Sequence, residues 1–210
     1  HLITGLEENA WLYNLRGSDV DRSPIFFSFT LISPDSVTLY KFGEDFDDIL
    51  KENGVTVKHY LDIFEDIKKL PDSATVLADF DAASYSLIKS IPASCKITDD
   101  LSPVSMFKSI KNCTEIAATR EAHMYDGLAM VNFIYWLKNT VGKQALTEIS
   151  ASDHLESLRS AQPGFVDLSF DTIAGYMSNG AIIHYGATPE SDTALEADGF
   201  MLVDSGGQYL

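Results

Sequence analysis

The chain has 210 residues, 45% of them hydrophobic, enough for one large domain or two modest ones with buried cores. Its 15 Lys and Arg against 31 Asp and Glu leave a formal charge of −16, a field that repels phosphate backbones and anionic lipid heads, so neither nucleic acid nor a membrane is an expected partner. Cys95 and Cys113 are too few for a disulfide framework and lack C-x-x-C spacing, no apolar run reaches the roughly 18 residues of a membrane span, and no leader pattern opens the chain; a cytoplasmic location is expected.

In chain order, "IFFSFTLI" (Ile25 to Ile32) and "SVTLYKF" (Ser36 to Phe42) are rich in β-branched and aromatic residues around Ser33-Pro34-Asp35, which predicts a hairpin. "DFDDILKEN" carries Phe46, Ile49 and Leu50 at helical spacing and stops before Gly54, a C-cap residue. "VTVKHY" follows as strand, "LDIFEDIKKL" as helix, "ATVLADF" as strand and "AASYSLIKSI" as helix. This alternation predicts an α/β (α+β) fold with a mixed sheet.

The pattern changes at Lys108 to Lys111, where a domain boundary is expected. Asn112 with Glu115 three residues on has capping-box form, and Ile116, Met124, Leu128, Val131 and Tyr135 recur along one face of a helix running to about Val141. "TEISASDHLESLRSAQ" predicts a second helix, with Thr147 as N-cap and Gln162-Pro163-Gly164 as its stop. Strands and turns are expected from Leu168 onward: "LSFDTIAG", "GAIIHYGAT" and "GFMLVDSGG". No internal repeat or low-complexity stretch is evident. The opening His1 and the apolar run shortly before Leu210 read as an excised fragment ending in an unfinished strand.

Asp204-Ser205-Gly206-Gly207 poses the chemical question. Ser205 could be a nucleophile, since DSGG surrounds the reactive serine of trypsin-like proteases. That chemistry needs an imidazole base and a group orienting it; the trypsin-like fold is all-β, whereas two strong helices precede this motif, and no G-x-S-x-G elbow is present. Asp204 could instead emerge near the end of a buried strand, where a carboxylate must be paired, hydrogen-bonded or bound to a cation. Acceptance from the Gly206 and Gly207 amides in an Asx-type turn would serve equally well. His184 in "AIIHYG" is expected on a strand, its ring opposite Ile183 and Tyr185; a backbone-bonded core-edge histidine is the plain alternative. His59, His123 and His154 lack ligand spacing and read as structural or solvated.

Three stretches, "EENAWLYNLRGSDVDRSPIFFSFTLI", "LTEISASDHLESLRSAQPGFVDLSFDTIAGYMSNGAIIHYGATPE" and "LVDSGGQY", together resemble aminopeptidase P, the Xaa-Pro aminopeptidase family, in its three-domain form. The resemblance implies a creatinase/prolidase N-terminal-like mixed-sheet middle domain over 1–108, then the first part of a pita-bread metallopeptidase domain over 109–210. It further implies two divalent ions, usually manganese, activating a hydroxide that releases the first residue of peptides with proline second, in a homodimeric enzyme. On the family's pattern Asp204 is the first of five metal ligands, the other four lie beyond Leu210, and His184 contacts substrate beside the scissile bond without joining the metals. Ser205 is then no nucleophile, and this fragment alone is expected to be inactive. Prolidase, metal-free creatinase and non-catalytic pita-bread binding modules are the alternatives. Asn14-Leu15-Arg16-Gly17 and the Leu168 to Gly175 run favour aminopeptidase P over the other enzymes, and Asp204 with His184 argues against the binding module.

Overall fold

The computed structural model describes all 210 residues and divides into two compact units, His1–Lys111 and Asn112–Leu210. The first unit runs β1 (Leu2–Ile3), α1 (Leu6–Tyr13), β2 (Ser28–Ser33), β3 (Ser36–Lys41), α2 (Asp47–Glu52), β4 (Val55–His59), α3 (Ile63–Asp66), β5 (Thr75–Ala78), α4 (Tyr85–Ser90), β6 (Lys96–Asp99) and α5 (Pro103–Ser109). Its six strands form one mixed sheet in the order β4-β3-β2-β1-β5-β6. The β2/β3 hairpin closes at the Ser33↔Ser36 pair, whose hydroxyls bond at 2.8 Å, as the turn chemistry around Pro34 predicts. Leu2, Tyr40, Ile63, Ile67, Val76, Ala78, Leu87 and Ile91 make the core between sheet and helices. The helix expected over "LDIFEDIKKL" is broken into 3₁₀ turns on either side of α3, which still delivers Ile63 and Ile67 to that core.

The second unit begins with α6 (Cys113–Thr140) and α7 (Glu148–Ser160), then β7 (Phe165–Leu168), β8 (Ile173–Tyr176), a 3₁₀ turn over Met177–Ala181, β9 (Met201–Asp204) and β10 (Gly207–Tyr209). Both expected caps form reciprocally. Asn112 accepts from the Glu115 amide at 2.9 Å while Glu115 accepts from the Asn112 amide at 2.8 Å, and Thr147 exchanges the equivalent pair with Ser150. The strands make two antiparallel ribbons, β7/β10 and β8/β9. Phe133, Leu146, Ala151, Leu155 and Leu195 form the core, joined by Met130, Trp136 and Leu137 from α6.

The apolar stripe read from the sequence of α6 is a different set: Ile116, Met124, Leu128, Val131 and Tyr135 are all exposed. The buried face of α6 carries Ala129 and Phe133, so the helix is apolar on more than one side.

Helices and terminal ribbon are pinned together by Asp126 on α6. Its two carboxylate oxygens accept from Arg159 Nε at 2.7 Å and Nη2 at 3.0 Å, and Oδ1 also accepts from the Tyr209 hydroxyl at 3.1 Å. Arg159 is 1% exposed, so the pair is desolvated on the cation's side. Burial opposes ionisation of Asp126, but the hydrogen bonds and charge of Arg159, helped by Tyr209, outweigh it and hold the carboxyl below its ordinary pKa. A depressed folded-state pKa stabilises the fold above the unfolded value of about 4 and loses that contribution as pH falls through the lower folded value. Asp126→Asn should therefore cost about 3 kcal/mol at pH 7, because it strands a buried guanidinium. Urea unfolding at several pH values should show the gap between parent and variant closing below about pH 4; a gap independent of pH would contradict this role for the ion pair.

Candidate active site around Asp204 and His184

Asp204 is the last residue of β9 and pairs with Ile173 of β8. Its side chain is exposed and makes no hydrogen bond or ion pair, so the Asx-type turn is not formed: neither the Gly206 nor the Gly207 amide reaches the carboxylate. The cost of burial anticipated for this residue is likewise not incurred. An exposed, unpartnered carboxylate fixed at a strand end can serve as one ligand of a cation. It cannot hold one alone, and no group of three or more His, Cys, Asp or Glu side chains in the chain is placed to do so.

Ser205 is half-buried, and its hydroxyl donates to Met130 Sδ at 3.9 Å; no histidine hydrogen-bonds to it. The neighbouring glycine is needed for packing. The Ser169 amide donates to the Gly206 carbonyl at 3.0 Å, and a methyl group on Gly206 would overlap Ser169 Oγ. DSGG here is the close crossing from β9 into the β7/β10 ribbon, and the arrangement around Ser205 has no base to activate it.

His184 differs from expectation. It does not lie on a strand; the 3₁₀ turn over Met177–Ala181 continues into a turn, and His184 takes a left-handed conformation with φ of 55°. The ring is exposed, and no side-chain or backbone group bonds to it. The apolar run that suggested a strand is not a buried one, since Ile182 and Ile183 both face solvent. What organises the segment is polar.

That polar anchor is Glu148, the first residue of α7, which is 0% exposed. Oε1 accepts from the Tyr176 amide at 2.6 Å; Oε2 accepts from the Tyr185 hydroxyl at 2.7 Å and the Thr193 amide at 3.2 Å. Asn179 Nδ2 donates across both oxygens at 3.1 and 3.2 Å. A carboxylate out of water is tolerated because its lone pairs are filled and because it sits at the positive end of a helix. Burial pushes the Tyr185 phenol above its ordinary pKa, which keeps the hydroxyl a donor. In the sequence, Glu148 reads as an ordinary acidic residue of a first helical turn; its donors lie 28 to 45 positions further along the chain.

The remaining histidines fall apart as expected. His59 ends β4 and accepts from the Leu61 amide at 3.4 Å, His123 bonds the Thr119 carbonyl one turn back, and His154 stacks on Trp136 with ring centroids 3.8 Å apart.

Residues 1–115 match the family model "Creatinase/Prolidase N-terminal domain" and residues 117–210 match "Metallopeptidase family M24". The chain belongs to the creatinase/prolidase family, and the M24 match falls within its second unit. Among curated proteins it is similar to the "Probable Xaa-Pro aminopeptidase P" of Sclerotinia sclerotiorum, 38% identical over 99% of this chain and 37% of the relative, and to that of Chaetomium globosum, 38% identical over 100% and 36%. The chain thus spans little more than a third of these relatives' length. Among solved structures it resembles an X-prolyl aminopeptidase from Caenorhabditis elegans, described as a cytosolic enzyme with a di-nuclear active site, with a TM-score of 0.89, 26% identity and coverage of 99% and 36% of the two chains. An Xaa-Pro dipeptidase from Bacillus anthracis shares the fold, with a TM-score of 0.72 at 20% identity, over 99% of this chain and 56% of that one. No helix is long and apolar enough to cross a membrane.

The different ties of the two carboxylates have a measurable consequence. Asp204→Asn should change the unfolding free energy by less than about 0.5 kcal/mol, as for a surface residue without partners. Glu148→Ala should cost at least about 2 kcal/mol, because it leaves several buried donors unpaired. Denaturant unfolding of both variants checks this, and a large loss at Asp204 would mean it has a structural partner.

Proposed function

We propose that the chain is part of an Xaa-Pro aminopeptidase that removes the first residue from peptides with proline second. Residues 1–108 are its middle domain and residues 109–210 the first part of its pita-bread catalytic domain. The observation that carries the reading is the free carboxylate of Asp204, presented to solvent at the end of a paired strand with nothing in the chain to satisfy it. The similarity to curated Xaa-Pro aminopeptidases and the M24 match support it.

On this reading Asp204 is a ligand to one of two divalent cations, manganese by preference, and the other protein ligands come from outside these 210 residues. When bound, such a pair lowers the pKa of water and polarises the peptide carbonyl. Asp204 contributes negative charge and a fixed oxygen donor. His184, exposed and unbonded, hydrogen-bonds the substrate beside the scissile amide and steadies its orientation. Ser205 takes no part. The enzyme is a cytoplasmic homodimer with peptide substrates, and its net negative charge fits neither nucleic acid nor membrane partners.

In the full-length protein, Asp204→Asn should lower metal content and abolish most turnover of a proline-second peptide, while Ser205→Ala retains activity. His184→Ala should keep its metals and lose turnover by roughly 10² to 10⁴. The 210-residue chain alone should bind manganese weakly and release no amino acid. Elemental analysis and peptide hydrolysis measure all of these. Loss of metal in His184→Ala would make it a ligand, and a full-length protein with neither metal nor peptidase activity would favour a non-catalytic binding module.

A further inference from the structure

We propose that Glu148 is the positioning residue of this site: its buried carboxylate fixes the backbone on both sides of His184 and so sets where the imidazole is presented. The inference rests on the reading of His184 as a substrate contact.

His184 has no partner of its own and holds φ at 55°, a left-handed conformation uncommon for residues with a side chain, although histidine enters it more readily than most. A constraint lies beside it. Its neighbour Tyr185 is 8% exposed and donates to Glu148 Oε2 at 2.7 Å. Upstream, the Tyr176 amide and the Asn179 side chain bond the same carboxylate, at 2.6 Å and at 3.1 and 3.2 Å. Downstream, the Thr193 amide does so at 3.2 Å. The loop that displays the histidine is therefore gathered at four points onto two oxygen atoms, and those atoms belong to the rigid first turn of α7.

The same carboxylate also holds the ribbon that carries Asp204. Tyr176, which it holds, ends β8, and β8 pairs with β9 from Tyr176↔Met201 to Ile173↔Asp204. One buried group thus grips the ribbon at one end while Asp204 stands at the other. Free imidazoles on untethered loops sample many placements, and catalysis by an orienting group falls steeply when the group is displaced by an ångström.

A purely structural role would make the same hydrogen bonds, so the test must separate the two. Tyr185→Phe keeps the buried ring and removes the hydroxyl that donates to Glu148 and accepts from Asn179 Nδ2 at 3.0 Å. In the full-length protein it should keep the parental metal content and KM and lose kcat by about 10- to 100-fold. In a His184→Ala background the same substitution should cost nothing further, because the group it positions is gone. In the metal-free protein, amide hydrogen exchange over residues 177–193 should quicken in Tyr185→Phe and in Glu148→Gln, with the β7/β10 ribbon unchanged. Equal losses of kcat in both backgrounds, no loss in either, or unchanged exchange would overturn the positioning role. A parental kcat in His184→Ala is a separate result that sinks the reading of His184 itself, and with it the inference.

Discussion

The second unit depends on a carboxylate that has been taken out of water. Glu148 is fully buried, and folding can tolerate that only if every strong donor it needs arrives together. The donors come from β8, the 3₁₀ turn, the His184 loop and the strand-like return at Thr193. Because an unsatisfied buried charge is so costly, the arrangement is close to all-or-none, and an irregular loop whose isoleucines stay exposed acquires a single conformation. Apolar packing alone would not have done this, since Ile182 and Ile183 on the same loop are exposed.

A second polar fastening, Asp126 with Arg159 and Tyr209, ties α6, α7 and β10. It pairs its carboxylate with a cation, whose hydrogen bonds and charge lower the Asp126 pKa and so give the tie its pH dependence. Between the two lies the DSGG corner, where glycine allows the Gly206 carbonyl to approach the Ser169 amide. The consequence for Asp204 is indirect. Strand pairing and close glycine packing fix its backbone, while its side chain is left free.

Features that rest on local chemistry were legible in the sequence. Asn112 with Glu115, and Thr147 as N-cap, close their helices as the residue types dictate, and the hairpin expected around Ser33-Pro34-Asp35 forms. Short elements were not: β1 has two residues, too few for any period to show. The strand expected through His184 failed because a brief apolar run signals burial, and here the burial is not present. The stripe on α6 shows the converse limit, since spacing identifies an apolar face without showing what covers it. Asp204 and His184 were singled out through resemblance, whereas Glu148 was invisible as anything but a helix-start residue, its hydrogen bonds being made to residues far along the chain.

On the proposed reading the chain carries one metal donor and one substrate donor on a ribbon and a loop held by the same buried carboxylate. The most direct test is an X-ray structure of the full-length protein grown with manganese, with anomalous scattering at the manganese edge locating the ions. The account predicts an Asp204 carboxylate oxygen about 2 to 2.5 Å from one ion. It also predicts the His184 ring turned towards the substrate cleft and outside both coordination spheres. Metal ions elsewhere in the protein, with Asp204 in contact with neither, would contradict it.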